Sequence, residues 1–402
     1  MGRTLAEKIL SEKSGKDVCA GDIVVCTADL VLGTDGSTPM AIDLFEQMGG
    51  RSVFQPERVL LSRDHYAPAT SETTAGYHSR MGRFASEYGV DLLAVGDGIG
   101  FQVALETGRV GAGDLVIGAD SHTVTCGAAG AFATGVGSTY LAAAFLTGDV
   151  WLRVPETIRV VLDGMLPSGV CAKDVALEVV RNLGSDGASY CVIEFGGALA
   201  EVLSVEERMV VSNMSAETGA KAGIFSAPES SSEENADFAK SVRIDCSHLE
   251  PIIALPHQPT RGVPVSEVVG ASIDWVFLGT CTGGSANDFR KALQVLDAGG
   301  GIAEGVTVVV APSSASVRKN LENDGTLNRL EALGAKITET GCGPCCGTSN
   351  PIPPPNARIL STANRNFQGR MGQASAEIYL ASPITCAAAA TVGGIVDPRE
   401  VS

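Results

Sequence analysis

Aromatic side chains are scarce in this chain of 402 residues, with 2 Trp, 6 Tyr and 12 Phe against 48 Gly. Few rings and many glycines indicate tight turns and close backbone approaches, as in α/β proteins with crowded loops. Basic residues are the minority charge, 29 Lys and Arg against 46 Asp and Glu, for a net charge of −17. That balance argues against a nucleic-acid or anionic-membrane partner, because phosphate binding is dominated by Lys and Arg. It leaves open a small anionic substrate, since a few local Arg forks can hold a carboxylate inside an acidic protein. The N-terminal MGRTLAEKILSEKSGKD is polar and amphipathic and has no apolar secretory core. Eleven Cys, an odd number, do not read as a disulfide framework, so reduced thiols in the cytoplasm are expected. One uncharged run, Val124 to Gly148, is long enough to span a bilayer. Its five Gly and several Ser and Thr favour a buried helix with its entry loop instead.

Short apolar runs end repeatedly in polar or Gly-rich turns. RVLLSRDH (58–65) ends at Asp64-His65, and DLLAVGDG (91–98) ends in a Gly turn. DLVIGADSHT (114–123) ends at Asp120-Ser121-His122, DWVFLGTC (274–281) ends at Cys281, and VTVVVAP (306–312) is stopped by Pro312. Helical stretches lie near 71–88, 285–298 and 314–333. Continuous Val/Ile/Leu strands alternating with helices predict parallel sheets covered on both faces. In such sheets ligands bind beyond the carboxyl ends of the strands, which is where these polar residues fall. Three α/β domains are expected, at 1–157, 158–240 and 241–402. The first carries Asp64, His65 and Asp120-Ser121-His122. The last carries the clustered cysteines. The Ser-, Glu- and Pro-rich stretch from about 226 to 260 reads as loop or linker, and no internal repeat is evident.

GCGPCCG (341–347) is the sharpest signal. Its glycines let the backbone turn tightly and bring two thiolates to one centre. A C-x-x-C alone can hold zinc, run redox exchange or ligate an iron–sulfur cluster. A structural zinc site wants a second C-x-x-C or a Cys/His pair, and neither occurs. One further Cys sits in a tight polar turn, Cys281 in GTCTGG. Three thiolates, Cys281, Cys342 and Cys345, suit a cubane cluster with one iron left open as a Lewis acid. Cys126 and Cys346 read as neighbours of that site. Cys19, Cys26, Cys171, Cys191, Cys246 and Cys386 read as small buried hydrophobes.

STANRNFQGRMG (361–372), ADSHT (119–123), Asp64-His65, FLGTCTGG (277–284) and SNMSAETGAKAG (212–223) together resemble the aconitase superfamily, in family order and over nearly the whole chain. The resemblance is to the isopropylmalate isomerase and homoaconitase type of large subunit. It implies aconitase-like domains around a 4Fe–4S cluster held by Cys281, Cys342 and Cys345. Asp64 with His65, and His122 with Glu217, would form acid–base pairs, with Asp120 beside them. Ser121, Arg365 and Arg370 would hold substrate carboxylates, and Asn213 and Asn364 would hydrogen-bond around the cluster. The implied activity is a hydro-lyase acting on a hydroxy di- or tricarboxylate. Isopropylmalate in leucine biosynthesis is foremost among its substrates, with homoaconitate, citramalate, dimethylmalate and maleate as neighbours. An iron-responsive regulator or an electron-transfer protein is the remoter alternative. Nothing here resembles the swivelling small domain of the family, so the resemblance implies a heterodimer with a separate small subunit.

Two departures stand out. The family has His in an Ile-x-His-Gln context where this chain has GIGFQ (98–102), so Phe101 takes the His position and Asp120 is expected to lack its usual His partner. Gly283-Gly284 replaces the polar residue that commonly follows Cys-Thr, which alters the surroundings of the cluster. His78, His248 and His257 read as structural.

Overall fold

The computed structural model describes residues 2–226 and 231–401. Residues 227–230, inside the expected linker, lie outside the described residues. The strands form where apolar runs were continuous. Val59–Ser62, Leu115–Gly118 and Trp275–Gly279 are buried at every position, as strands covered on both faces must be.

A first sheet of five parallel strands has the order Asp91–Leu92, Val59–Ser62, Leu30–Thr34, Leu115–Gly118, Phe132–Gly135. Helices cover it, among them Thr38–Gln47, Glu72–Tyr88 and Ser138–Thr147. Phe45, Phe84, Tyr88 and Phe145 lock those three helices together, with ring centroids 4.9–6.4 Å apart. An antiparallel ribbon of Ile23–Thr27 and Asp149–Arg153 stands beside it.

A second sheet has four parallel strands in the order Ala222–Phe225, Val192–Gly196, Thr157–Asp163, Lys240–Asp245. The third has seven: Gly262–Pro264, Ile252–Ala254, Glu377–Leu380, Arg358–Ser361, Trp275–Gly279, Thr307–Ala311 and Lys336–Ile337. Its last five are parallel, and the first two attach as an antiparallel edge.

Two local expectations need correction. Val124 to Gly148 is not one helix with an entry loop. It holds the end of a 3-10 run (Ser121–Ala129), the strand Phe132–Gly135 and a ten-residue helix, Ser138–Thr147. Among the described residues, no helix is long and apolar enough to cross a membrane. The helical stretch near 314–333 is two helices, Ala315–Asn323 and Thr326–Ala332. Gly325 between them has φ +81°, a left-handed conformation that ends the first helix.

The parallel strands aim their carboxyl ends at common ground. Asp35 follows Leu30–Thr34, Asp64-His65 follows Val59–Ser62, and Asp120 follows Leu115–Gly118. From the third sheet, Cys281 follows Trp275–Gly279 and Asn364-Arg365 follows Arg358–Ser361.

Candidate active site

Asp64 is 1 % exposed, and its carboxylate is held by hydrogen bonds on both oxygens. Its Oδ2 accepts from the Gly100 backbone N–H at 2.9 Å and the Ser62 hydroxyl at 3.0 Å, while Oδ1 meets His65 Nδ1 at 2.7 Å. A carboxylate only accepts, so Nδ1 carries a proton, and Nε2 is the nitrogen turned toward the site. That Nε2 lies 3.5 Å from Asp120 Oδ2 and 3.9 Å from Cys342 Sγ. Burial by itself pulls His65 toward neutrality, but the Cys342 sulfur and Asp64 carboxylate outweigh it and raise its pKa well above the ordinary value.

Two groups that sequence reading did not place in the site stand behind this pair. Asp35 accepts from the backbone N–H of His65 and of Tyr66, both at 3.0 Å, and meets His78 Nε2 at 2.9 Å. His78 therefore supports the loop that carries His65, at one remove. The strand-end rule that picks out Asp64 and Asp120 applies equally to Asp35, after LVLGT; His78 had no comparable signal.

Asp120 caps the 3-10 run at Ser121–Ala129 by accepting from the His122 N–H at 2.8 Å. With Phe101 at the departing position, Asp120 has other histidines beside it. His122 Nδ1 lies 3.4 Å from Oδ1, and His65 Nε2 approaches Oδ2 from the other side. Burial pushes Asp120 up, but the two histidines and the cap outweigh it and hold the carboxyl well below its usual range. Phe101, at the departing position, is 4 % exposed and packs with Leu30, Leu32, Leu60 and Ile99. Cys281 and Cys342 lie against that same apolar cluster.

His122 Nε2 meets Glu217 Oε1 at 3.0 Å. Arg365 Nε donates to both Glu217 oxygens, at 2.8 and 3.1 Å, and its Nη2 donates to Ser121 Oγ at 3.0 Å. Glu217 is thus not an exposed helix residue but a buried bridge between a histidine and an arginine. Burial raises its pKa, and His122 and Arg365 together overcome that and lower it.

Two of the thiols, Cys281 and Cys345, meet Asn364. Its Nδ2 donates to Cys281 Sγ at 3.3 Å and to Asn213 Oδ1 at 3.1 Å, and Cys345 Sγ donates to its Oδ1 at 3.9 Å. Asn213 in turn donates to Thr125 Oγ1 at 2.8 Å. Arg370 Nη2 reaches Cys345 Sγ at 3.9 Å, and its buried Nε has no partner. The structure therefore places Arg370 beside the thiols and Arg365 beside the acid–base groups. Cys346 turns aside to Thr348 Oγ1 at 2.8 Å. Cys126 is fully buried among apolar side chains.

The donor set discriminates between metal groups. Four ligands on one zinc ion, each ~2.3 Å away, stand about 3.8 Å from one another. Among the described residues the one His/Cys/Asp/Glu trio with ligand atoms within 4.8 Å of one another is Asp35, Asp64 and His65, which contains no thiol. Cys281, Cys342 and Cys345 are free thiols, two of them on the Asn364 amide and the third beside His65, an arrangement that suits a group with several metal atoms. Burial pushes Cys281 up to about 12 and raises Cys342 and Cys345 as well, so it takes a bound cationic centre to ionise them.

Lys173 is the third group missed from sequence. It is 1 % exposed, and burial draws its pKa down to about 8. It lies at the start of the helix Ala172–Leu183, and its sequence neighbours do not mark it as buried.

Thiols and two histidine–carboxylate pairs converging at strand ends define a known class, and a family model confirms it. The model of the aconitase family (aconitate hydratase) matches residues 7–233 and 227–393, and the chain belongs to that family. Among its curated relatives is 3-isopropylmalate dehydratase large subunit 1 of Methanopyrus kandleri, 43 % identical over 416 residues and covering 99 % of each chain. The protein of the same printed name from Thermotoga maritima is 43 % identical over 419 residues, and 3-isopropylmalate dehydratase large subunit 2 of Archaeoglobus fulgidus is 42 % identical over 417, each covering 100 % of both chains. The crystal structure of Thermococcus kodakaraensis aconitase X (holo-form) superposes with a TM-score of 0.53 at 14 % identity, over 90 % of this chain and 88 % of that one, a likeness of fold. Membership implies an iron–sulfur cluster.

Proposed function

We propose that this chain is the cluster-bearing large subunit of a hydro-lyase that removes and adds water on 3-isopropylmalate, in leucine biosynthesis. The observation that carries the reading is the double acid–base arrangement: His65 on Asp64 and His122 on Glu217, both facing Asp120 or its neighbours beside three free thiols. The substrate is taken from relatives printed as 3-isopropylmalate dehydratase at 42–43 % identity. Their designation as large subunits supports a separate small subunit that completes the site. The eleven free thiols suit a reducing cytoplasm.

Cys281, Cys342 and Cys345 would hold a 4Fe–4S cluster, which when bound supplies Lewis acidity at its one iron without a protein thiolate. The remaining work falls to side chains. Hydroxide is a poor leaving group, and His122, held by Glu217, stands ready to protonate the departing oxygen. His65, with Nδ1 anchored on Asp64 and Nε2 turned toward Asp120, can move a proton on the same face of the site as Asp120. Arg365 is fixed by Glu217 and Ser121 so that its remaining guanidinium edge meets a substrate carboxylate with a fork, which a lysine would not provide. Phe101 belongs to the apolar cluster against which Cys281 and Cys342 lie.

Anaerobic reconstitution with the cognate small subunit tests the reading. Absorbance of the unsaturated acid should rise with 3-isopropylmalate and stay flat with citrate. A reconstituted complex with full iron and sulfide that turns over neither 3-isopropylmalate nor a related hydroxyacid refutes it.

A further inference from the structure

Lys173 sits in the interior, and among the described residues no carboxylate lies within ion-pair distance of its ammonium. Its Nζ donates to Ala363 O at 2.8 Å, to Thr362 O at 3.1 Å and to Thr282 Oγ1 at 3.1 Å, with Met214 Sδ at 3.7 Å. All three ammonium protons are used, and every acceptor is uncharged. The groups whose negative charge would act on it are thiols, led by Cys281, with Cys386, Cys345 and Cys171. Its position deepens the mismatch. Lys173 is the second residue of a twelve-residue helix, Ala172–Leu183, at the end where the helix dipole is itself positive. A buried cation without a counter-ion is strongly unfavourable, and at a helix N-terminus more so.

The acceptors say where the missing counter-charge belongs. Thr282 follows Cys281, and Ala363 precedes Asn364, whose amide donates to Cys281 Sγ. One ammonium therefore grips both loops that present Cys281 and Asn364. We infer that Lys173 is the built-in counter-charge of the anionic iron–sulfur centre, fixing its reduction potential and its retention from behind the thiolates. The inference rests on the cluster reading above and adds to it a residue outside the ligand set. A fixed positive charge favours the more negative, reduced form of the centre, so neutralising it makes reduction harder.

The test compares wild type, Lys173→Gln, Lys173→Met and Lys173→Arg as full chains reconstituted anaerobically with iron and sulfide. Gln keeps a donor toward the carbonyls and Arg keeps the charge. Bound iron and sulfide are counted, iron loss to a chelator is timed, and the reduction midpoint is followed by electron paramagnetic resonance. Lys173→Gln and Lys173→Met should bind the cluster, lose iron several-fold faster, and lower the reduction equilibrium constant about tenfold, about 59 mV for one electron. Lys173→Arg should restore both values to near wild type. Neutral variants with wild-type midpoint and retention overturn the inference while leaving the cluster in place. Neutral variants that do not fold even as apo-protein overturn it too, because the ammonium is then a structural tie between loops. A wild-type chain that takes up no iron or sulfide instead refutes the cluster reading itself, and the inference falls with it.

Discussion

Replacing Asp64 by Asn separates positioning from stability at His65. The introduced amide has two orientations. With its NH2 toward Gly100, two donors face each other and a buried backbone N–H is left unpaired, at a cost of about 1–3 kcal/mol. With its NH2 toward His65, the carbonyl still accepts from Gly100 and Ser62, as Oδ2 does now at 2.9 and 3.0 Å. His65 must then accept at Nδ1 and carry its proton on Nε2, where Asp120 Oδ2 lies 3.5 Å away to receive it. The second arrangement keeps every hydrogen bond and loses only charge assistance, so it wins, and unfolding free energy falls by roughly 1–2 kcal/mol. Catalysis fares worse. Without the Asp64 charge His65 loses part of what raises its pKa, the ring is left neutral with its one proton held toward Asp120, and a proton-transfer role worth ~10²–10⁴-fold is lost. The assay is kcat for dehydration by the reconstituted two-subunit enzyme, with urea unfolding of the same preparation. A kcat within threefold of wild type refutes the reasoning. So does a loss of activity that merely tracks a stability loss above about 4 kcal/mol.

Other outcomes follow from the same geometry. Arg365→Lys cannot reach both Glu217 oxygens and Ser121 Oγ together, so kcat/KM should fall at least tenfold, about 1.4 kcal/mol, mostly through KM. The depressed pKa of Glu217 contributes stability that is fully present above its unfolded value of 4.5 and is lost as pH falls through the lower folded value. Apo-protein carrying Glu217→Gln should therefore show a flatter stability profile below pH 4.5 in acid titrations followed by circular dichroism. Asp35→Ala removes the acceptor of His65 N, Tyr66 N and His78 Nε2, and should lower unfolding free energy by about 2–4 kcal/mol in urea. Ser replacement of Cys281, Cys342 or Cys345 should abolish stable iron and sulfide binding, whereas Cys126→Ser and Cys346→Ser should retain it.

Much of this was legible in the sequence because its causes are local. Val59–Ser62 and Trp275–Gly279 announce buried parallel strands by continuous apolar composition, and the polar residues beyond them fall at strand ends for that reason. GCGPCCG shows its turn and its thiols in seven residues. The contacts that decide the chemistry span far more chain. Asp120 reaches His65 across the intervening strand Leu30–Thr34 of one sheet, which Phe101 gave no reason to expect. Asp35 and His78 act through a hydrogen bond over 43 residues of separation. Lys173 contacts Ala363 across 190, and nothing in its own helix distinguishes it from a solvated lysine. Val124–Gly148 misled because composition alone does not separate a short buried strand from a buried helix.

The central claim is a three-thiolate cluster with one iron free to meet substrate. Electron paramagnetic resonance of the reduced, reconstituted two-subunit protein, recorded with and without 3-isopropylmalate, tests it most directly. The account requires the cluster signal to shift on adding the acid and to do so no longer when Arg365 is replaced by Lys at the same acid concentration. A fully loaded cluster whose spectrum is indifferent to the hydroxyacid contradicts it.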